Sequence, residues 1–115
     1  MLTRVKYHDN VIFEDSNVGI TNIGFSVVNK NTALSLNGSI IPIGDYRALD
    51  DDTPVNLKQV RSDGVSEDRN NLTFSEIMDM VCESSNDEDK NVCLVMTDTI
   101  GILHMIRIVK GEIKN

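Results

Sequence analysis

The sequence predicts an α+β domain, in which one amphipathic helix covers a face of a mostly antiparallel β-sheet. Three observations support this fold class. Residues 16–44 hold a single charge and several turn signals, which is typical of a β-meander. Residues 73–84 have the apolar spacing of a helix, and residues 92–109 contain two apolar runs joined by a turn. At 115 residues, the chain fits one domain spanning 1–115.

The predicted β-meander, residues 18–43, is organised around the dipeptide Asn37-Gly38. This dipeptide is a strong signal for a type I′ turn, because both central residues of that turn need φ > 0. A second turn at 29–32 then sets Phe25 opposite Leu36. Both pairings put the same apolar side chains on one face, as a half-buried antiparallel sheet requires. These side chains are Phe25, Val27, Leu34, Leu36, Ile41 and Ile43.

Residues 45–71 lose this periodicity and are predicted to form an acidic, loop-rich connection. Residues 50–54 and 61–64 are rich in turn formers, with one short strand expected between them at 55–60. A connection of this length is uncommon in a small domain, so we expect it to carry function or to be mobile.

The helix is predicted from both its start signal and its apolar stripe. Thr73 and Glu76 match a capping box, and Leu72 with Ile77 completes a hydrophobic staple. The predicted helix runs over 73–84 with three acids on its outer side. Its apolar stripe follows the helical spacing and consists of Phe74, Ile77, Met78, Val81 and Cys82.

The C-terminal segment, residues 92–109, is predicted to be a β-hairpin. Residues 92–97 and 102–109 are near-continuous apolar runs, and residues 98–101 form the turn between them. Strands that are apolar along both faces are typical of the interior of a sheet.

The sequence offers no constellation for catalysis, and we therefore predict that the protein is not an enzyme. His8 and His104 are the only histidines; His104 lies in an apolar run and His8 is expected to be exposed. Neighbouring carboxylates should raise the pKa of the Cys82 thiol and suppress the nucleophilic thiolate. The glycines show no phosphate-binding spacing, and no cofactor is predicted.

A metal site is not predicted either. Asp87, Asp89 and Asn91 have the spacing of an EF-hand loop, but Val92 occupies the position where that loop needs glycine. Two cysteines do not make a disulfide framework, and no apolar leader or membrane span is evident. We expect a protein of a reducing cytoplasm, that of the producing or host cell, with no membrane partner.

The excess negative charge lies in the middle of the chain. Residues 45–89 carry thirteen acids against four bases, whereas the whole chain has a net charge of −7. Several of these acids follow the helix C-terminus, where the helix dipole disfavours them by about 0.3–1 kcal/mol each. An acidic chain without a basic face is a poor ligand for nucleic acid. The predicted partner-binding acids are Glu76, Asp79, Glu83, Asp87, Glu88, Asp89, Asp50, Asp51 and Asp52.

Three functions are compatible with this pattern. The leading interpretation is a small acidic module of phage or bacterial type that covers a basic surface of a partner protein. Inhibitors, immunity proteins and anti-defence proteins act in this way, often on nucleic-acid enzymes. One alternative is a self-associating, β-rich structural module that forms homo-oligomers. The other is a regulatory domain that binds a small ligand between the sheet and the 45–71 connection.

Overall fold

The computed structural model describes residues 2–33, 35–61 and 63–114, and within them the chain forms ten strands and one helix. The predicted α+β class is confirmed. The strands are β1 (Thr3–Tyr7), β2 (Asn10–Asp15), β3 (Ile20–Asn29), β4 (Gly38–Pro42), β5 (Ala48–Leu49), β6 (Pro54–Val60), β7 (Ser66–Thr73), β8 (Lys90–Asp98), β9 (Leu103–Val109) and β10 (Glu112–Lys114), and the helix α1 spans Phe74–Ser84.

The strands form two sheets of different size. Seven of them make an antiparallel sheet in the order β10-β9-β8-β3-β4-β6-β7. The smaller sheet has the order β2-β1-β5, and its β1–β5 pair is parallel. Both α1 and the small sheet pack on one face of the large sheet, and the three elements share a single apolar core.

The helix contributes the best-buried part of that core. Thr73 caps α1 and Glu76 completes the capping box, as the sequence predicts. Its apolar stripe, Phe74, Ile77, Met78, Val81 and Cys82, is buried as predicted. Burying a large apolar side chain contributes about 1.5–3 kcal/mol, so packing against the sheet holds this 11-residue helix more than intrinsic propensity does.

The predicted turn at Asn37-Gly38 is wrong. β3 pairs directly with β4, with Phe25 opposite Gly38 rather than Leu36. The Asn37 side chain takes the place of a strand residue: its Nδ2 donates to the Val27 carbonyl oxygen at 2.9 Å, and its Oδ1 accepts from the Val27 N–H at 3.2 Å. Gly38 is needed for another reason, because a Cβ there would lie 2.2 Å from Cζ of Phe25.

This different register also changes which side chains of β4 are buried. Ile40 is fully buried, whereas the predicted core residue Ile41 is on the opposite face and Ile43 is exposed. Leu36 is exposed as well, and the predicted role of Leu34 lies outside the described residues. Side chains of a strand point alternately to its two faces. A register shift of one residue therefore buries the side chains that were expected to be exposed and exposes those expected to be buried.

Residues 45–71 are more regular than the sequence predicts. The expected short strand is confirmed as β6, but β5 and most of β7 also fall in this segment. β6 alternates buried Val55 and Leu57 with less buried residues, as an inner strand should. β7 is an edge strand and is largely exposed. An edge strand needs few apolar side chains, which is why periodicity failed to predict it.

The C-terminal hairpin is confirmed as β8 and β9, and its ends are fixed by hydrogen bonds. Asp98 is buried at the turn and accepts from the N–H groups of Ile100 and Ile102 at 3.0 and 2.9 Å. At the other end, the Ser85 hydroxyl accepts from the Gly111 N–H at 2.7 Å. This bond joins the C-terminus of α1 to the β9–β10 turn.

Candidate functional site

The structure brings the nine predicted acids to α1 and its two ends; we call these nine residues the acidic face. Glu76, Asp79 and Glu83 lie on the exposed side of the helix, and residues 87–89 follow its C-terminus. The 50–52 turn lies against the helix N-terminus, because the Ser75 N–H donates to the Asp51 carbonyl oxygen at 3.2 Å. Acids that are distant in sequence are therefore neighbours in the fold.

None of the nine acids forms an ion pair with a lysine or arginine within 4.0 Å, as far as the described residues extend. Elsewhere acids do find such partners: Glu14 pairs with Arg4 at 2.7 Å, and Glu67 pairs with Arg61 at 3.0 Å. The acidic face therefore lacks direct counter-ions among the described residues, although at its C-terminal end Asp87 and Glu88 share a cleft with Lys30, Lys90, Arg107 and Lys110. Carboxylates without a contacting counter-ion produce a long-range field at low ionic strength.

Five of the nine acids also have structural tasks. Glu76 belongs to the capping box, and Asp50 and Asp87 accept backbone N–H bonds within their own turns. Asp51 and Asp79 both contact His8. The carboxylates of the other four have no hydrogen bond to any described residue, so their charge is available to a partner. We call these four the free acids: Asp52, Glu83, Glu88 and Asp89.

His8 is the residue that sequence reasoning missed. It lies in the β1–β2 turn at φ 52°, and its backbone N–H donates to Asp51 Oδ1 at 2.7 Å. Its ring nitrogens lie 3.3 Å from Asp51 Oδ2 and 3.3 Å from Asp79 Oδ1. His8 thus joins the small sheet to the acidic face. No local pattern could indicate this, because the two partners are 43 and 71 residues away.

Two potential nucleophiles lie beside this cluster and are held protonated. Burial raises the pKa of Tyr7 well above the ordinary value for tyrosine, and the hydrogen bond that its hydroxyl donates to Asp79 raises it further. Burial also raises the pKa of the Cys82 thiol, to which the nearby negative charge of Asp79 adds. Burial is thus the main cause for Cys82, and the neighbouring carboxylate is a lesser one.

A groove runs between α1 and the large sheet, and we call it the helix–sheet groove. It has a volume of about 250 Å³. Its lining includes the buried Phe25, Leu57 and Ile77, the side chain of Gln59 and, at the rim, Met80, which is 44% exposed. None of the described residues that line it is charged. A larger, more polar cleft of about 500 Å³ lies between the β1–β2 and β9–β10 turns and includes His8.

One edge of the large sheet is apolar and only partly covered. β10 pairs with β9 only at residues 107–109. The Ile102 carbonyl oxygen accepts from the Asp98 N–H of β8 at 3.0 Å. In an antiparallel pair, every second residue bonds to the neighbouring strand, so the backbone N–H and C=O groups of Leu103 and Met105 point away from β8. Both side chains are 63% exposed. The opposite edge, β7, carries charged residues instead.

Comparison with protein-family models, curated proteins and solved structures gives no match, so function must be argued from these geometries. Within residues 2–33, 35–61 and 63–114, no group of three or more histidine, cysteine or acidic side chains is arranged to hold a metal ion. In the same part of the chain, α1 is too short to cross a membrane.

Proposed function

We propose that the protein is a binding module whose acidic face covers a basic surface of a partner protein, as inhibitors, immunity proteins and anti-defence proteins do. One observation carries this proposal: nine exposed or half-exposed acids gather around one helix, and within the described residues none of them contacts a lysine or arginine. At the 87–89 end this charge is partly offset, because lysine and arginine line the cleft beside Asp87 and Glu88.

The electrostatics of α1 support the same proposal. No basic residue lies in its last turn, and Glu83 stands at the negative end of the helix dipole. The chain therefore accepts a small loss of stability to keep this end negative. A concentrated charge of one sign speeds association with a partner of the opposite sign. At 0.1 M salt this attraction is largely screened at distances beyond about 10 Å.

The test is capture of a partner from a host-type lysate at low and high salt with three forms of the protein. The wild type is compared with a variant in which the four free acids are changed to their amides. A control variant changes four acids on other surfaces, so that both variants move from a net charge of −7 to about −3. The control changes are Glu14→Gln, Glu67→Gln, Asp68→Asn and Glu112→Gln.

We expect a salt-sensitive partner that the wild type and the control variant retain and the free-acid variant loses. Equal loss from both variants would show that only total charge matters, and retention by the free-acid variant would refute the proposal. A partner that is held equally at high salt would exclude electrostatic steering.

A second candidate function, self-association, is favoured by the edge of β9. An exposed edge with outward backbone groups and apolar side chains can pair with the same edge of another copy. Sedimentation equilibrium over a range of concentrations tests this. A dimer that Met105→Lys abolishes would support self-association, and a monomer at all concentrations would exclude it.

A further inference from the structure

We propose that the helix–sheet groove receives an apolar side chain from a cationic, amphipathic segment of the partner, whose basic residues meet the acids beside the groove. This proposal rests on the proposed function and specifies the chemistry of the partner segment: one large apolar residue flanked by lysine or arginine.

The shape of the groove favours a side chain over a free small molecule. Its volume of about 250 Å³ is below the 300–1,000 Å³ of most pockets for drug-sized ligands. Two of its three polar lining side chains are already hydrogen-bonded within the protein: Asn37 to Val27, and Ser84 to the Met80 carbonyl oxygen at 3.1 Å. This leaves mainly Gln59 to orient a ligand. An anchor side chain is positioned by the rest of its own chain and needs no such groups.

Met80 gives the groove an adaptable rim. It is exposed on the helix surface beside the buried Ile77 and Val81. Methionine is unbranched and polarisable, so it can repack around apolar side chains of different shapes. An exposed methionine next to an apolar groove is a feature of surfaces that bind amphipathic segments.

The charges beside Met80 select a cationic segment. Glu76 lies four residues before Met80 and Glu83 three residues after it, so both carboxylates are neighbours of Met80 on the helix surface. Neither acid pairs with a lysine or arginine of the described chain. A partner helix with basic residues three or four positions from its apolar anchor would place them opposite these acids.

The absence of tryptophan from this chain provides a direct assay. The probe is a synthetic helical peptide with one tryptophan anchor flanked at three and four residues by lysine. Its fluorescence, excited at the red edge of the tryptophan band where the two tyrosines of the protein do not absorb, reports burial of the anchor alone. A control peptide replaces two lysines with glutamine and keeps the tryptophan. A second control peptide keeps every lysine and replaces the tryptophan anchor with serine. Because it does not fluoresce, its binding is measured by its ability to displace the tryptophan peptide.

The protein variants are Met80→Gln and, as a matched control, Ile100→Gln in the β8–β9 turn. Both residues are exposed, so neither change should impair folding, which far-UV circular dichroism checks. We expect the tryptophan emission to shift to shorter wavelength on binding to the wild type. Met80→Gln should weaken binding about tenfold, the effect of a loss near 1.4 kcal/mol, and Ile100→Gln should leave it unchanged.

The outcomes separate this inference from the proposed function. If the serine peptide competes as well as the tryptophan peptide, and only the free-acid variant weakens binding, the acidic face binds cations but the groove takes no anchor. If the glutamine peptide binds as tightly as the lysine peptide, the groove is a general apolar site and the cationic partner is refuted. Absence of peptide binding to the wild type at low salt overturns this inference, whereas the proposed function is decided by the capture experiment.

Discussion

Replacing Gly38 with alanine should destabilise the fold through one contact, the ring of Phe25. The alanine Cβ would lie 2.2 Å from Cζ of that ring, against about 3.5–4.0 Å for carbon atoms in contact. Phe25 is only 6% exposed and belongs to the core, and its ring, which lines the helix–sheet groove, must move by more than about 1 Å against its core neighbours. Overpacking of this kind costs about 1–3 kcal/mol.

The assay is urea unfolding followed by far-UV circular dichroism. For a slope of about 2 kcal/mol/M, a loss of about 2 kcal/mol lowers the urea midpoint of Gly38→Ala by about 1 M. Phe25→Leu should destabilise by about 1–2 kcal/mol on its own, because it removes buried volume. In the double variant the shorter side chain leaves room for the alanine, so the two losses should fall short of additivity by at least about 1 kcal/mol.

A matched control separates this contact from backbone strain. Gly44 has φ +102°, and among the described residues its would-be Cβ meets no non-neighbouring atom within 4 Å, so Gly44→Ala should destabilise through backbone strain and should not couple to Phe25→Leu. If Gly38→Ala and Phe25→Leu were simply additive, the cost of Gly38→Ala would not come from the Phe25 ring. The packing explanation would then be wrong.

Three further predictions concern single residues of the fold. Thr73→Ala removes the cap that accepts from the Glu76 N–H and should lower stability by about 1 kcal/mol in urea unfolding, whereas an unchanged midpoint would contradict the capping box. Ser26→Ala should be neutral or stabilising, because the buried Ser26 hydroxyl has no hydrogen-bond partner among the described residues; a loss above about 1 kcal/mol would reveal one. The hydrogen bond from His104 at 2.9 Å is the main cause that lowers the pKa of the buried Asp98 carboxyl. The ionised Asp98 therefore stabilises the fold above the pKa that it has in the unfolded chain, and this stabilisation is lost as the pH falls through its lower pKa in the folded protein. Asp98→Asn should therefore destabilise at pH 7 and have less effect near pH 2, whereas an equal effect at both pH values would contradict this linkage.

The sequence predicted those elements whose signals are local. The helix was found because Thr73, Glu76 and the apolar stripe all lie within one short segment. The C-terminal hairpin was found because both of its strands are apolar and a short turn joins them, although only β8 is interior and β9 exposes one of its faces. The same reasoning failed at Asn37-Gly38, where a local turn signal competed with a long-range requirement for space beneath Phe25.

The candidate site was predictable in composition and not in geometry. Charge counting identified the nine acids, but it could not show that the 50–52 turn lies against α1. The groove and its rim were also beyond the sequence, because Met80 follows the helix pattern as an ordinary surface residue. His8 gave no signal because its contacts depend on chain topology alone.

The central claim is that the acidic face steers a basic partner, and the rate of association tests it most directly. With the captured partner in hand, stopped-flow or surface-based kinetics should be measured across ionic strength for the wild type, the free-acid variant and the charge-matched control. The account predicts that the association rate falls steeply with salt and falls in the free-acid variant, with little change in dissociation. A rate that is independent of salt, or that falls equally in both variants, would contradict it.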